Sequence, residues 1–216
     1  MDRVYLTSTS ETSDVCKLLL KELLFLRGQG VRFNLAGELH SSAASSEDKK
    51  TFSRFAASVE ALSTALSPQL LSTTGAILLV FGASAERPKE AYEFFFRKLD
   101  LSTAEPEELA DAAPSATAQD AARRLTRLLV ASLADAPALR GGTSAFALVR
   151  VPCSREGAVP PGFVAKRSLR PAFGKAHVLR TLLCDGGQGA CASLFQDAGD
   201  NALWCQSVAV VKGIVG

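Results

Sequence analysis

The 216-residue sequence predicts an α+β domain, with helices packed on one face of a mostly antiparallel sheet. Three observations carry that reading. Apolar residues recur at helical spacing near residues 13–27, 47–66 and 117–134. From residue 143 onward the pattern changes to short apolar runs of strand character. No shift in composition separates two parts with their own cores, so one domain over residues 1–216 is expected.

The first helix, about 13–27, has Thr12, Ser13 and Asp14 as cap oxygens and Gly28 and Gly30 as stops. Val15, Leu18, Leu19, Leu20, Leu23, Leu24, Phe25 and Leu26 cover most of its circumference, which fits a central helix. A polar loop, 41–46, leads to a second helix, about 47–66. There Phe52, Phe55, Val59, Leu62 and Leu66 form one apolar face, and Pro68 lies just past the end. The run 75–81 is too short for a typical helix and reads as a buried strand. Residues 82–88 read as a turn and 91–99 as the returning strand of a hairpin, with Lys89, Glu90, Arg97 and Lys98 leaving a helix as the alternative for the latter.

Residues 102–115, acidic and broken by Pro106 and Pro114, read as a surface loop. The third helix, about 117–134, places Ala118, Ala121, Ala122, Leu125, Leu128, Leu129, Ser132 and Leu133 on a core stripe. Arg123, Arg127 and Val130 point away from it, with Gln119 and Thr126 on one flank. Strands are expected at 144–151, 177–184, 190–195 and 203–211. Between the first two, residues 152–173 hold four prolines and four basic residues, and are too long for a hairpin loop.

Composition narrows the function classes. A formal charge of +2 is too small for a general nucleic-acid binder, and no run of 18 apolar residues suggests a membrane span. The first residues lack a secretory layout, and five cysteines without a CxxC pair read as reduced thiols, so cytosol or nucleus is expected. Catalytic signatures are weak. His40 and His177 have no ligand at metal-site spacing. The stretch 82–86 lacks the second glycine of a nucleophile elbow, and the glycine-rich stretch 185–189 joins two strands with no lysine or helix after it. Two features suit partner binding instead. One is Val130 exposed among arginines, and the other is the basic run KRSLR at 166–170.

Four blocks together resemble one family. They are CKLLLKELLFLRGQ at 16–29, ILLVFG at 77–82 followed by RPKEAYE at 87–93, RRL at 123–125, and WCQ at 204–206 with VKG at 211–213. In this order they resemble the Comet family, the binding proteins of the mitotic-arrest-deficient spindle-checkpoint HORMA protein. The resemblance implies a HORMA-like fold of three helices on a sheet, with a C-terminal segment wrapped on the core. It implies a non-enzymatic adaptor without cofactor or metal. Such an adaptor binds a closed checkpoint or meiotic HORMA protein and presents it to the hexameric AAA+ ATPase called pachytene checkpoint protein two. Its expected place is the nucleus, with cytoplasm during mitosis, and neither nucleic acid nor membrane is an expected partner.

Carried onto this sequence, the HORMA-facing residues are Arg123, Thr126, Arg127, Val130 and Leu26, and the ATPase-facing residues are Phe163, Lys166 and Arg167. Departures from the family pattern occur at Thr126, where a large aromatic is expected, at Leu26 in place of glutamine, and at Ala165 in place of proline. The first two fall on the partner face and imply either a distant lineage or a partner surface that has shifted with them, and the alanine-rich character suits a plant or algal version. A second reading is a HORMA protein that captures peptides under a mobile C-terminal seat-belt.

Overall fold

The computed structural model describes residues 3–5, 9–28, 46–74, 76–96, 116–134, 136, 139, 143–152, 159–169, 177–184 and 202–213. His40, Cys153, Cys191, the loop 102–115, the glycine-rich stretch 185–189 and the expected strand 190–195 lie outside them.

Helix α1 (Thr9–Leu26) starts before the expected cap. Thr12 and Ser13 are buried inside it, and Ser13 Oγ donates 2.6 Å to the Leu66 carbonyl at the end of the next helix. The hydroxyl thus satisfies an orphan carbonyl of a neighbour rather than capping its own helix. Val15, Cys16, Leu19, Leu20, Leu23 and Leu24 are all buried, as a central helix requires. Gly28, at φ 67°, ends α1 in the left-handed conformation that favours glycine.

Helix α2 (Ser46–Ala65) buries Phe55, Val59 and Leu62. Pro68, read from sequence as a stop, also opens a further short helix, α3 (Pro68–Thr73). Ser67 caps it by accepting from the Leu70 N–H at 3.3 Å, and proline suits the first turn because no donor is needed there.

Strands β2 (Ala76–Ser84) and β3 (Arg87–Phe96) reach through the expected turn, leaving only Ala85 and Glu86 between them. Register shifts on either side of Gly82 let the ladder continue. A Cβ at Gly82 would lie 2.6 Å from the Arg87 carbonyl oxygen, so the close approach needs glycine.

Helix α4 (Ala116–Leu133) buries Ala118, Ala121, Ala122, Leu125, Leu129 and Leu133. Leu128 is half-buried, and Ser132 is exposed rather than on the core stripe. The remaining strands are β1 (Arg3–Tyr5), β4 (Ser144–Pro152), β5 (Phe163–Ala165), β6 (His177–Cys184), β7 (Ala202–Ser207) and β8 (Val211–Lys212).

Together they form an eight-stranded sheet in the order β1-β6-β3-β2-β4-β7-β5, with β8 beside β4. Antiparallel pairing dominates, while β6 runs parallel to both β3 and β1. The expected strand over 203–211 is split. Ser207 Oγ accepts from the Ala147 N–H at 3.1 Å and donates to the Ala209 carbonyl at 2.8 Å. The side chain takes a ladder position, so the backbone leaves it and pairs again at Val211.

Alternation along β2 and β4 gives the sheet two buried faces. Ile77, Leu79, Phe81, Ala147 and Val149 meet the four helices in the main core. On the opposite face Leu78, Val80, Phe146, Leu148, Leu169 and Trp204 form a second cluster, and Arg150 lies 5.8 Å from the Trp204 ring centroid.

Cys16 faces the main core, and burial pushes its thiol up from an ordinary 9.0 to about 12. The unfolded chain therefore releases this proton first. Stability is fully present below about pH 9 and falls as pH rises from about 9 toward 12, by roughly 1 kcal/mol per unit from this group. Urea titrations at pH 8 and pH 10.5 check this, with Cys16→Ala expected to flatten the decline. An equal decline in the variant assigns it to other groups.

Candidate functional site

Helices α1 and α4 pack side by side and leave an open groove of about 540 Å³ between them. Its walls are Leu18 and Glu22 of α1, and Gln119, Ala122, Arg123, Thr126 and Arg127 of α4. Three residues singled out from sequence therefore line one concavity. Arg123 and Arg127 are exposed, and Thr126 is half-buried. Arg123 also meets Asp120 one turn earlier at 3.1 Å. That pair is fully surface-lying and contributes little, so it leaves the guanidinium available to a partner at small cost.

Val130 and Leu26 stand differently. Val130, 47% exposed, lies one turn beyond Thr126 and past the groove walls. Leu26 is half-buried against the main core, one turn beyond Glu22 on α1. Next to it Phe25 is 46% exposed. Sequence reasoning missed Leu18 and Glu22, because an almost wholly apolar helix does not disclose which side meets its neighbour. The spacing of Leu18, Glu22 and Leu26 was the available signal.

The end of α1 is fixed by a buried ion pair. Arg27 is 7% exposed and Glu90, on β3, 3%. The guanidinium grips the carboxylate with both ends: Arg27 Nε donates to Glu90 Oε2 at 2.8 Å and Nη2 donates to Oε1. Tyr92 Oη also donates to Glu90 Oε2 at 2.7 Å, and its ring stands edge-on to Phe81 at 5.6 Å. Burial and the neighbouring carboxylate together raise the Tyr92 phenol well above its ordinary range, so it remains a donor.

The basic segment after β5 is organised by two buried anchors. Phe163 was expected to face a partner, but only 6% of it is exposed and it belongs to the main core. The chain reaches that position through Gly162, at φ 77°, whose missing side chain leaves room for Ala65 at the end of α2. The second anchor is Leu169, buried in the opposite cluster. Between the anchors Lys166, Arg167 and Ser168 are exposed. The irregular segment expected from its prolines thus contains an edge strand, because Lys166 N–H bonds to the Trp204 carbonyl at 2.8 Å and Val208 N–H to the Gly162 carbonyl at 2.8 Å.

Among the described residues no cluster of His, Cys, Asp and Glu has the form of a metal site. No described helix is long and apolar enough to cross a membrane. No protein-family model and no curated protein matches this chain.

Proposed function

We propose that the chain is a non-enzymatic adaptor of Comet type with a HORMA-like fold. It binds the closed form of a checkpoint or chromosome-axis HORMA protein and presents it to the hexameric AAA+ ATPase. Its action silences the spindle checkpoint or remodels meiotic chromosome axes, in the nucleus and, during mitosis, the cytoplasm. The observation that carries this reading is the groove in which Arg123, Thr126 and Arg127 face Glu22 and Leu18. Arginine beside apolar surface is the composition that interfaces enrich. The incorporation of the C-terminal residues into the sheet, with β7 between β4 and β5, favours this reading over peptide capture by a mobile seat-belt.

Reversing the charge of Arg127 (Arg127→Glu) is expected to weaken HORMA binding at least tenfold, about 1.4 kcal/mol. Because Arg127 is exposed, stability is expected to change by less than about 0.5 kcal/mol. Calorimetry against the closed HORMA protein measures the first, and urea unfolding the second. An unchanged affinity for both Arg123→Glu and Arg127→Glu removes the groove from the interface.

The ATPase contact falls to Lys166 and Arg167, with Phe163 now an anchor beneath them. The double change Lys166→Glu/Arg167→Glu is expected to reduce ATPase capture and to leave HORMA binding intact. The wild-type contact is expected to weaken with salt, since screening at 0.1 M already acts within about 10 Å. Loss of HORMA binding with ATPase binding kept reverses the two surfaces.

A further inference from the structure

Basic residues flank a hydroxyl in several segments of this chain, and the fold separates them. Thr51 and Ser53 lie between Lys49, Lys50 and Arg54, but inside α2. Thr126 follows Arg123 and Arg124 and precedes Arg127, but it sits half-buried in the middle of α4. A kinase binds its acceptor in extended form, so either helix would have to unwind over more than a turn first. Ser168 follows Lys166 and Arg167, precedes Arg170, and is in no helix.

A backbone bond from the Leu169 N–H to the Lys166 carbonyl, 3.0 Å long, closes the turn that carries Ser168. The turn is held at one end by the β5 ladder and at the other by buried Leu169. Arg167 and Ser168 are its exposed tip. Ser168 already stands outside any helix, whereas the helical hydroxyls become accessible only when several backbone bonds break at once. Lys166, Ser168 and Leu169 also line a cavity of about 270 Å³, together with Glu86 and Phe146 among others.

We propose that Ser168 is the acceptor for a basic-directed serine/threonine kinase, and that its phosphorylation weakens the electrostatic contact made by this turn. In the reaction Ser168 Oγ attacks the γ-phosphorus of ATP. The new P–O bond forms as the bond to the β-phosphate oxygen breaks, ADP leaves, and the hydroxyl proton passes to the kinase's carboxylate base. The phosphate adds about −1.5 to −2 charges to a segment whose basic residues are Lys166, Arg167 and Arg170. Lys166 lines the same cavity as Ser168, so its ammonium is a cation that the phosphate neutralises, while the Glu86 carboxylate repels it. The loss of ATPase affinity rests on the proposed function, whereas the modification itself does not.

The experiment treats the full chain with Mg²⁺, ATP and a kinase catalytic domain selective for basic residues on both sides of its acceptor. Sites are located by mass spectrometry, with a synthetic peptide of residues 164–172 in parallel. Ser168 is expected to be the first site filled in the folded chain, and Ser168→Ala is expected to remove that product. Faster labelling of Thr51, Ser53 or Thr126 overturns the proposal. So does a folded chain that stays unlabelled, whether or not the peptide is labelled. The phosphorylated chain is then expected to bind the ATPase at least threefold more weakly, with unchanged HORMA binding. Equal ATPase binding before and after phosphorylation overturns the regulatory half. An unmodified chain that never binds the ATPase instead overturns the proposed function and leaves the modification site standing.

Discussion

Replacing Arg27 by Met is expected to lower stability by about 3–5 kcal/mol, because it leaves the buried Glu90 carboxylate without its cation. Among the described residues, the Tyr92 hydroxyl then remains as the side-chain donor to that charge, at 2.7 Å. The loss is the cost of an unpaired buried carboxylate and does not measure the net worth of the pair. Accordingly, the triple change Arg27→Met/Glu90→Leu/Tyr92→Phe, which removes all three polar groups, is expected to recover most of the stability. Urea unfolding of the single and triple variants checks both statements. A loss below about 1 kcal/mol for Arg27→Met means that water reaches the carboxylate and the pair is no lock. The pair matters for the groove because it ties the end of α1, which supplies Leu18 and Glu22, to the sheet through β3.

Phe163→Ala is expected to be as damaging, at about 3–5 kcal/mol, because it removes a buried aromatic from the main core. A residue that served only as a partner contact would behave in the opposite way, with stability kept and affinity lost. The two roles separate in one pair of measurements, the urea midpoint and ATPase binding at a temperature where the variant stays folded. Retained stability together with lost ATPase binding would falsify the anchoring role and return Phe163 to the surface. Destabilisation with a changed position of the turn is the expected result, since β5 is only three residues long and Phe163 is its link to the helix layer.

Much of the architecture was legible because it depends on periodicity. The stripe of α4 and the apolar run of β2 are local patterns, and burial of one face follows from them whatever the neighbours are. Errors arose where a residue's partner is distant in sequence. Ser13 reads as a cap until the Leu66 carbonyl, 53 residues on, is placed against it. Arg27 is only the last residue of the expected first helix until Glu90, 63 residues on, is brought to it. The break at Ser207 depends on Ala147, 60 residues earlier.

The sequence by itself determined the α+β class, the three long helices, the apolar strands and the exposure of Arg123 and Arg127. These follow from spacing along a few turns or strand positions, where side-chain direction is set by the local backbone. Only the tertiary structure decided the parallel placement of β6 between β1 and β3, and the choice of α1 as the other wall of the groove. It also decided that Phe163 is core while Lys166, three residues away, is surface. Each of these turns on which elements meet across the domain, and no local pattern encodes a distant neighbour.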